Sequence, residues 1–278
     1  MLTLSTGSLY NYGLNRVFAL AAEVGFDGME VLIDGRRDTR DASYLRRLSS
    51  EYKLPIAALH SPFVPYIQGW PSDQLGRLKQ TVALARELSV PLVVTHLPMR
   101  LHAAVLRLTM VANRRFLLPL PWVRRESYYR FFRDSHVDGF ELSSGVTIAV
   151  ENMPAVRFLG IKINPCWFNA SRDLLRFPHL TLDTTHLGTW GLDPITFYEQ
   201  LSQRVAHVHL SNYDGREHRL PPNGRLALPY FLRSLARNSY RGAVSLETSP
   251  SELESENEDK CRVNLKRTLA FCRKHFTL

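Results

Sequence analysis

The sequence predicts an α/β fold of the (β/α)8 (TIM) barrel class, in one domain covering residues 1–278 with an inserted segment at 99–125 after the fourth strand. Three observations carry this expectation. Short apolar runs of strand type alternate with amphipathic helical patterns along the chain, the sequence form of repeated βα units around a parallel sheet. Eight such units are countable, and 278 residues suit one barrel of about 250 residues. No Gly/Ser linker, low-complexity run or compositional break divides the chain.

The strands are expected at 2–5, 28–33, 56–60, 92–96, 147–151, 180–183, 206–210 and 243–247, each short and rich in Val, Ile, Leu or Ala. Between them, helical spacing of apolar residues marks 15–24, 42–52, 73–88, 128–135, 195–203, 229–238 and 259–275. Gly25, Gly139 and Gly242 suit turns near these helices. The fifth unit is the irregular one, with a short helix at 172–177 or a long loop in its place. Within the insertion, Phe116-Leu-Leu-Pro-Leu-Pro-Trp122 sets apolar residues among arginines. A lid over the barrel mouth or a contact between copies in a homo-oligomer is expected there, ahead of a membrane-surface patch.

With 45% hydrophobic and 22% charged residues, the chain has the composition of a globular domain with a sizeable core. Its first ten residues lack the basic head and continuous apolar core of a signal peptide, and no uncharged apolar run reaches the length of a transmembrane segment. A cytoplasmic location is therefore expected. Cys261 and Cys272 fall in one predicted helix, about 16 Å apart by its rise, so the cysteines are expected to be reduced packing residues. The net charge of +9 favours anionic partners without naming one. Much of the excess lies in Arg100, Arg107, Arg114, Arg115, Arg124, Arg125, Arg130 and Arg133, in and beside the insertion.

In a barrel of this class the reacting groups sit where strands end. His60 ends the third strand, His96 the fourth, Glu151 the fifth, Asp183 the sixth, His209 the seventh and Glu247 the eighth. A single histidine at a strand end is usually a hydrogen-bonded structural residue, but six consecutive strands finishing on ligand-type side chains point to a metal centre. Strand alternation supports it. Thr147, Ala149 and Glu151 share a face, as do Thr181 with Asp183, Ser245 with Glu247, and His207 with His209, whereas Ile148, Val150, Leu182, Val208, Leu210, Val244 and Leu246 face the helices. Carboxylates at Glu151, Asp183 and Glu247 would repel one another without a cation. Oxygen ligands with an imidazole suit one divalent ion, Mg²⁺, Mn²⁺, Co²⁺ or Zn²⁺. His186 follows in Asp183-Thr-Thr-His-Leu-Gly188, a turn that brings its ring over the site as a ligand, a substrate contact or a helix cap. His207 is expected one layer deeper, buried and hydrogen-bonded, while His102, His136, His179 and His275 are assigned to structure or surface.

These residues resemble the xylose-isomerase-like barrel superfamily, which holds sugar isomerases, ketose 3-epimerases, inositol-pathway enzymes and barrel-type apurinic (AP) endonucleases. The resemblance covers nearly the whole chain. It is carried by Gly25-Phe-Asp-Gly-Met-Glu-Val31, Leu59-His-Ser-Pro-Phe63, Val94-Thr-His-Leu-Pro98, Ile148-Ala-Val-Glu-Asn-Met-Pro154, Leu182-Asp-Thr-Thr-His-Leu-Gly188, His207-Val-His-Leu-Ser-Asn212 and Ser245-Leu-Glu-Thr248. It implies that Glu151, Asp183, His209 and Glu247 are four metal ligands. It also implies that Glu151 and Glu247 transfer the proton through a metal-stabilised enediolate. His60, His96, His186, Arg216 and His218 are implied as substrate contacts.

The expected activity is that of a divalent-metal-dependent isomerase or epimerase acting on a sugar, sugar phosphate or polyol ketone, with a small carbohydrate as partner. The alternative within the resemblance is an AP endonuclease acting on abasic DNA, a nucleic-acid partner that the residues favour less. That branch carries an Asp-x-His pair after the seventh strand. Here Asp214-Gly-Arg-Glu-His218 sets the two residues further apart, and His218 with Pro221 and Gly224 resembles the His-x-x-Pro-x-x-Gly loop of sugar-handling members. A metal-binding interaction module without catalysis is a third reading, resting on the insertion.

Overall fold

In the computed structural model, residues 1–63, 67–107, 115–121, 127–158 and 160–276 are described, and side chains are described for all of these except 101–107, 115–121 and 158. Eight apolar runs form parallel strands: β1 (Leu2–Ser5), β2 (Gly28–Leu32), β3 (Ile56–His60), β4 (Leu92–His96), β7 (Thr147–Glu151), β10 (His179–Asp183), β11 (Val205–Leu210) and β12 (Ala243–Leu246). They close as β1-β12-β11-β10-β7-β4-β3-β2. The expected strands hold to within one residue at either end. Glu247 lies one residue past β12, and its backbone N–H still donates to the Leu210 carbonyl at 3.3 Å.

Strands buried on both faces explain why the runs read as nearly continuous hydrophobic stretches. Ile148, Val150, Leu182, Val208, Leu210, Val244 and Leu246 join the core against the helices, as alternation requires. Inside the barrel a separate small cluster of Ala58, Leu92, Val94 and Ala149 fills the space beneath the strand ends. The polar strand-end residues stand above this apolar plug.

The helices are α1 (Leu14–Val24), α2 (Ala42–Tyr52), α3 (Gln74–Leu88), α4 (Ser127–Arg133), α5 (His136–Ser144), α6 (Ser171–Leu174), α7 (Thr184–Trp190), α8 (Pro194–Leu201), α9 (Leu228–Arg237) and α10 (Glu258–His275). Asp41, Asp73, Asp193 and Asn257 cap α2, α3, α8 and α10 by accepting from backbone N–H groups three residues on. Gly25 ends α1 at φ +96°, where a side chain would be strained. Arg16 and Arg262 pair with Glu258 and Glu23, tying α1 to α10 where the barrel closes.

Several elements differ from expectation. The helix expected at 128–135 is α4, which ends at Arg133; Ser135, at φ +57°, separates it from a further helix, α5, that was not expected. Gly139 therefore lies inside α5 and not in a turn. The segment expected as a turn around His186 is helix α7. Its three threonines are poor helix formers in isolation. Tertiary bonds compensate: Thr184 Oγ1 donates to the Ser211 carbonyl at 2.6 Å and Thr185 Oγ1 to the Asn212 carbonyl at 3.0 Å. In the fifth unit, β8 (Val156–Phe158) and β9 (Ile161–Ile163) form an antiparallel hairpin before α6.

The insertion contains a second antiparallel hairpin, β5 (Leu101–Arg107) with β6 (Arg115–Pro121), paired from Leu101↔Pro121 to Arg107↔Arg115. Residues 108–114 and 122–125 of the insertion lie outside the described residues. Its base is anchored to the segment before α6. Trp167 N–H donates to the Pro98 carbonyl at 2.8 Å, and the Arg100 guanidinium lies 4.5 Å from the centre of the Trp167 ring.

Candidate active site

The strand register brings the predicted residues together. His96 pairs with Glu151 across β4 and β7, and Asp183 pairs with His209 across β10 and β11. His209 is the hub. Its Nδ1 lies 2.8 Å from Glu247 Oε2, 3.1 Å from Glu151 Oε1 and 3.9 Å from Asp183 Oδ2. One ligand-type atom from each of Glu151, Asp183, His209 and Glu247 falls within 4.8 Å of the others.

Two further imidazoles converge on Glu151. His60 Nε2 and His96 Nε2 lie 3.3 and 3.1 Å from Glu151 Oε2. His60 Nδ1 donates to the Ser61 carbonyl at 2.9 Å. On the other side, His186 Nδ1 donates to the Asn152 carbonyl at 2.8 Å and sits 3.5 Å from Glu151 Oε1. His218 is half-buried, its Nδ1 3.2 Å from the Glu247 carbonyl and its ring edge-on to His186. Arg216 stands apart: its side chain is 70% exposed and lies 3.7 Å from Asp214.

Charge compensation follows the geometry. Burial pushes the Glu151 carboxyl up, but the surrounding imidazoles, His209 foremost, outweigh it and hold the group well below the usual carboxylate range. Glu247 is brought down to about 2, the charge and hydrogen bond of His209 overcoming burial. His209 is raised well above the ordinary histidine value despite burial, by Glu247, Glu30 and Glu151. Asp183 goes the other way, raised by burial and by Glu151 and Glu247 against the pull of His186 and His218. Against burial, Glu151 lifts His60, and Asp183 with Glu151 lifts His186, whereas burial keeps His96 low.

The residues fit a divalent cation. Asp183 Oδ2 is fully buried and has no hydrogen-bond partner among the described residues. Three carboxylates surround one imidazole nitrogen, an oxygen-rich donor set of the kind that Mg²⁺, Mn²⁺, Co²⁺ or Zn²⁺ accepts. A second grouping, His186, Glu217 and His218, also brings ligand-type atoms within 4.8 Å of one another, with Glu217 exposed.

Two buried residues of the site were not singled out from sequence. Asn152 clasps β7 to β10: its Oδ1 accepts from the Asp183 N–H at 2.8 Å and its Nδ2 donates to the Asp183 carbonyl at 3.1 Å. Glu30, on β2, accepts through Oε2 from His207 Nε2 at 2.6 Å and His209 Nε2 at 2.9 Å. A lone carboxylate in the apolar strand Gly28-Met-Glu-Val-Leu32 was the available signal. His207 is buried as expected, in contact with Glu30 and edge-on to His209. His179 pairs with Glu141 at 2.8 Å and His275 with Arg233 at 3.0 Å, away from the site, while the side chain of His102 lies outside the described residues.

A closed parallel barrel with a carboxylate–imidazole cluster at its strand ends defines a class of protein, and the sequence comparison gives its family. The chain belongs to the xylose isomerase-like TIM barrel family, whose profile matches residues 18–269. It is 29% identical to an uncharacterized protein of Mycobacterium tuberculosis strain H37Rv, over 98% of this chain and 96% of the relative. A Mycobacterium leprae protein is 28% identical, over 97% and 95% of the two chains.

Among solved structures, a D-tagatose 3-epimerase-like protein superposes with a TM-score of 0.69 at 20% identity, covering 99% of this chain and 97% of the other. The 3-keto-D-glucoside 4-epimerase of E. coli gives 0.66 at 16% identity, covering 98% of each chain. The D-allulose 3-epimerase of Methylomonas sp. gives 0.66 at 16% identity, covering 99% and 96%. At these identities the likeness is one of fold.

Proposed function

We propose that this protein is a divalent-metal-dependent isomerase or epimerase of a sugar, sugar phosphate or related polyol ketone. The observation that carries the reading is the Glu151–Asp183–His209–Glu247 cluster, in which two glutamates from non-adjacent barrel strands flank the Asp183–His209 pair. The superposition on sugar epimerases supports the same reading.

Glu151, Asp183, His209 and Glu247 would hold the ion, which when bound supplies polarisation of the substrate's carbonyl and hydroxyl oxygens. Glu151 and Glu247 are the proposed proton-transfer pair. Both are carboxylates at neutral pH, as a base must be. They approach from different sides of the barrel, so one, as a carboxylate, takes the proton from the substrate carbon, and the other, after taking up a proton from solvent, delivers that proton to the opposite face. Glu247, with 19% of its side chain exposed against 2% for Glu151, is the more open to a bound substrate. His60 and His96 hold Glu151 Oε2, and His186 and His218 edge the cleft where substrate hydroxyls would bind. Phe63, 55% exposed and stacked on His96, offers an apolar wall at the same mouth. Arg216, exposed on the loop after β11, is the outermost of the proposed substrate contacts. The insertion at 99–125 is assigned to covering the mouth or to contact between copies of the chain.

Solvent deuterium incorporation into a panel of ketoses and ketose phosphates tests the proposal, with bound metal measured in each sample. Wild type exchanges the proton, and Glu151→Gln and Glu247→Gln, when metal-loaded, lose the exchange. Undiminished exchange in both metal-loaded variants rules out the pair. The His186–Glu217–His218 grouping favours a second reading, a multi-metal phosphodiesterase. Cleavage of an abasic duplex, with DNA binding that weakens steeply as salt rises, would put that reading first.

A further inference from the structure

We propose that Glu30 is a positioning residue for the metal centre. It holds His209 protonated at Nε2 so that the Nδ1 lone pair is presented to the cation. The inference rests on the proposed role of His209 as a ligand. It concerns a residue outside the four-ligand cluster.

Glu30 is the lone ionisable side chain of β2, and every residue of that strand is buried. The register sets it between Ser5 on β1 and Ala58 on β3. It reaches across the barrel to β11, where His207 and His209 share the inward face, and one oxygen, Oε2, meets both Nε2 atoms at 2.6 and 2.9 Å. A carboxylate only accepts, so both Nε2 atoms donate. For His209, this leaves Nδ1 as the atom that faces Glu151, Asp183 and Glu247. The tautomer of the candidate ligand is thus set from behind by a group outside the Glu151–Asp183–His209–Glu247 cluster.

A carboxylate with no exposed surface is costly to bury, and an apolar side chain would fill the barrel interior more cheaply. Two charge-assisted hydrogen bonds offset that cost only while both histidines point at Glu30. The same bonds fix the ring plane of His209 and increase the basicity of Nδ1. A carboxylate behind a ligating imidazole has this effect at metal sites in general, and its loss costs about 10–100-fold in metal affinity.

The test uses the whole chain, stripped by chelator and titrated with Mn²⁺ alone, with free Mn²⁺ read by electron paramagnetic resonance. Wild type is compared with Glu30→Gln and with Glu30→Asp, which keeps the charge but withdraws the oxygen by one methylene. Thermal unfolding of the metal-free proteins is measured alongside. We expect Glu30→Gln to bind Mn²⁺ about 10–100-fold more weakly, with a smaller loss for Glu30→Asp. A purely structural role would lower the unfolding temperature and leave Mn²⁺ affinity unchanged in the folded variants, and that result overturns the inference. Histidine ¹⁵N spectra of Zn²⁺-loaded wild type need no variant to fold. They should show His209 protonated at Nε2 and coordinated through Nδ1, and the opposite tautomer also overturns it. Failure of wild type to bind Mn²⁺ would instead remove the metal reading on which the inference stands.

Discussion

Asp183 accepts a hydrogen bond through Oδ1 from the backbone N–H of His186 at 2.8 Å, while its Oδ2 faces His209 at 3.9 Å. One carboxylate therefore caps helix α7 with one oxygen and completes the candidate metal cluster with the other. The cap starts α7 at the strand end, and α7 in turn carries His186 to within 3.5 Å of Glu151. Fold and site share an atom group here, so they are separable by substitution.

Asparagine caps helices about as well as aspartate, and alanine in place of a cap costs about 1 kcal/mol. Asp183→Asn should therefore keep the metal-free stability of wild type, helped by removal of the repulsion from Glu151 and Glu247, and lose metal affinity. Asp183→Ala should lose both. Urea unfolding and Mn²⁺ titration of the two variants check this, and retention of metal binding by Asp183→Asn would exclude Asp183 as a ligand.

Asn152 makes two hydrogen bonds to the backbone of Asp183 and gives its own carbonyl to His186. Removing the carboxamide leaves buried backbone groups without these partners, at a cost of about 1–3 kcal/mol. Asn152→Ala is expected to destabilise the protein by that amount in urea unfolding. It should also weaken metal binding, because the Asp183 carboxylate is then held by the cap alone. Wild-type values for both measurements would show that the clasp is dispensable.

Cys166, Cys261 and Cys272 are free and buried. Burial pushes Cys166 and Cys272 up to about 12 and Cys261 up to about 11. A raised thiol value means less thiolate at a given pH, and the thiolate is the nucleophile. At pH 8 the native protein should react slowly with a thiol-specific disulfide reagent, and all three thiols should react promptly in guanidinium. Fast reaction of the folded protein would contradict this burial.

Strand positions were legible because each barrel strand is a short β-type run bounded by polar or turn residues, and the pattern repeats. The ligand-type residues were legible for a related reason. A parallel barrel places its strand ends on one face, so His60, His96, Glu151 and Asp183 are read off the last residues of their strands, with His209 one residue before the end of β11 and Glu247 one residue beyond β12. Helix α7 was not legible, since Thr184, Thr185 and Thr189 carry weak helical propensity and acquire their stability from the Ser211 and Asn212 carbonyls of the next loop and from His186. The break between α4 and α5 was hidden because it depends on one left-handed serine, Ser135, which the sequence does not distinguish from a serine in a helix. The hairpin at β8 and β9 is three residues per strand, below the length at which alternation is readable.

By itself the sequence determined the barrel, the alternation of faces and the identity of the side chains at the strand ends. These follow from local hydrophobic period and from the rule that parallel strands point their ends one way. Tertiary structure alone decided which of those side chains meet which: Glu30 of the second strand behind His209 of the seventh, Asn152 across Asp183, and Arg216 away from all of them. Such contacts depend on the stagger of strands around a closed barrel. No local pattern of residues encodes that distance, because it is set only when the first and last strands pair.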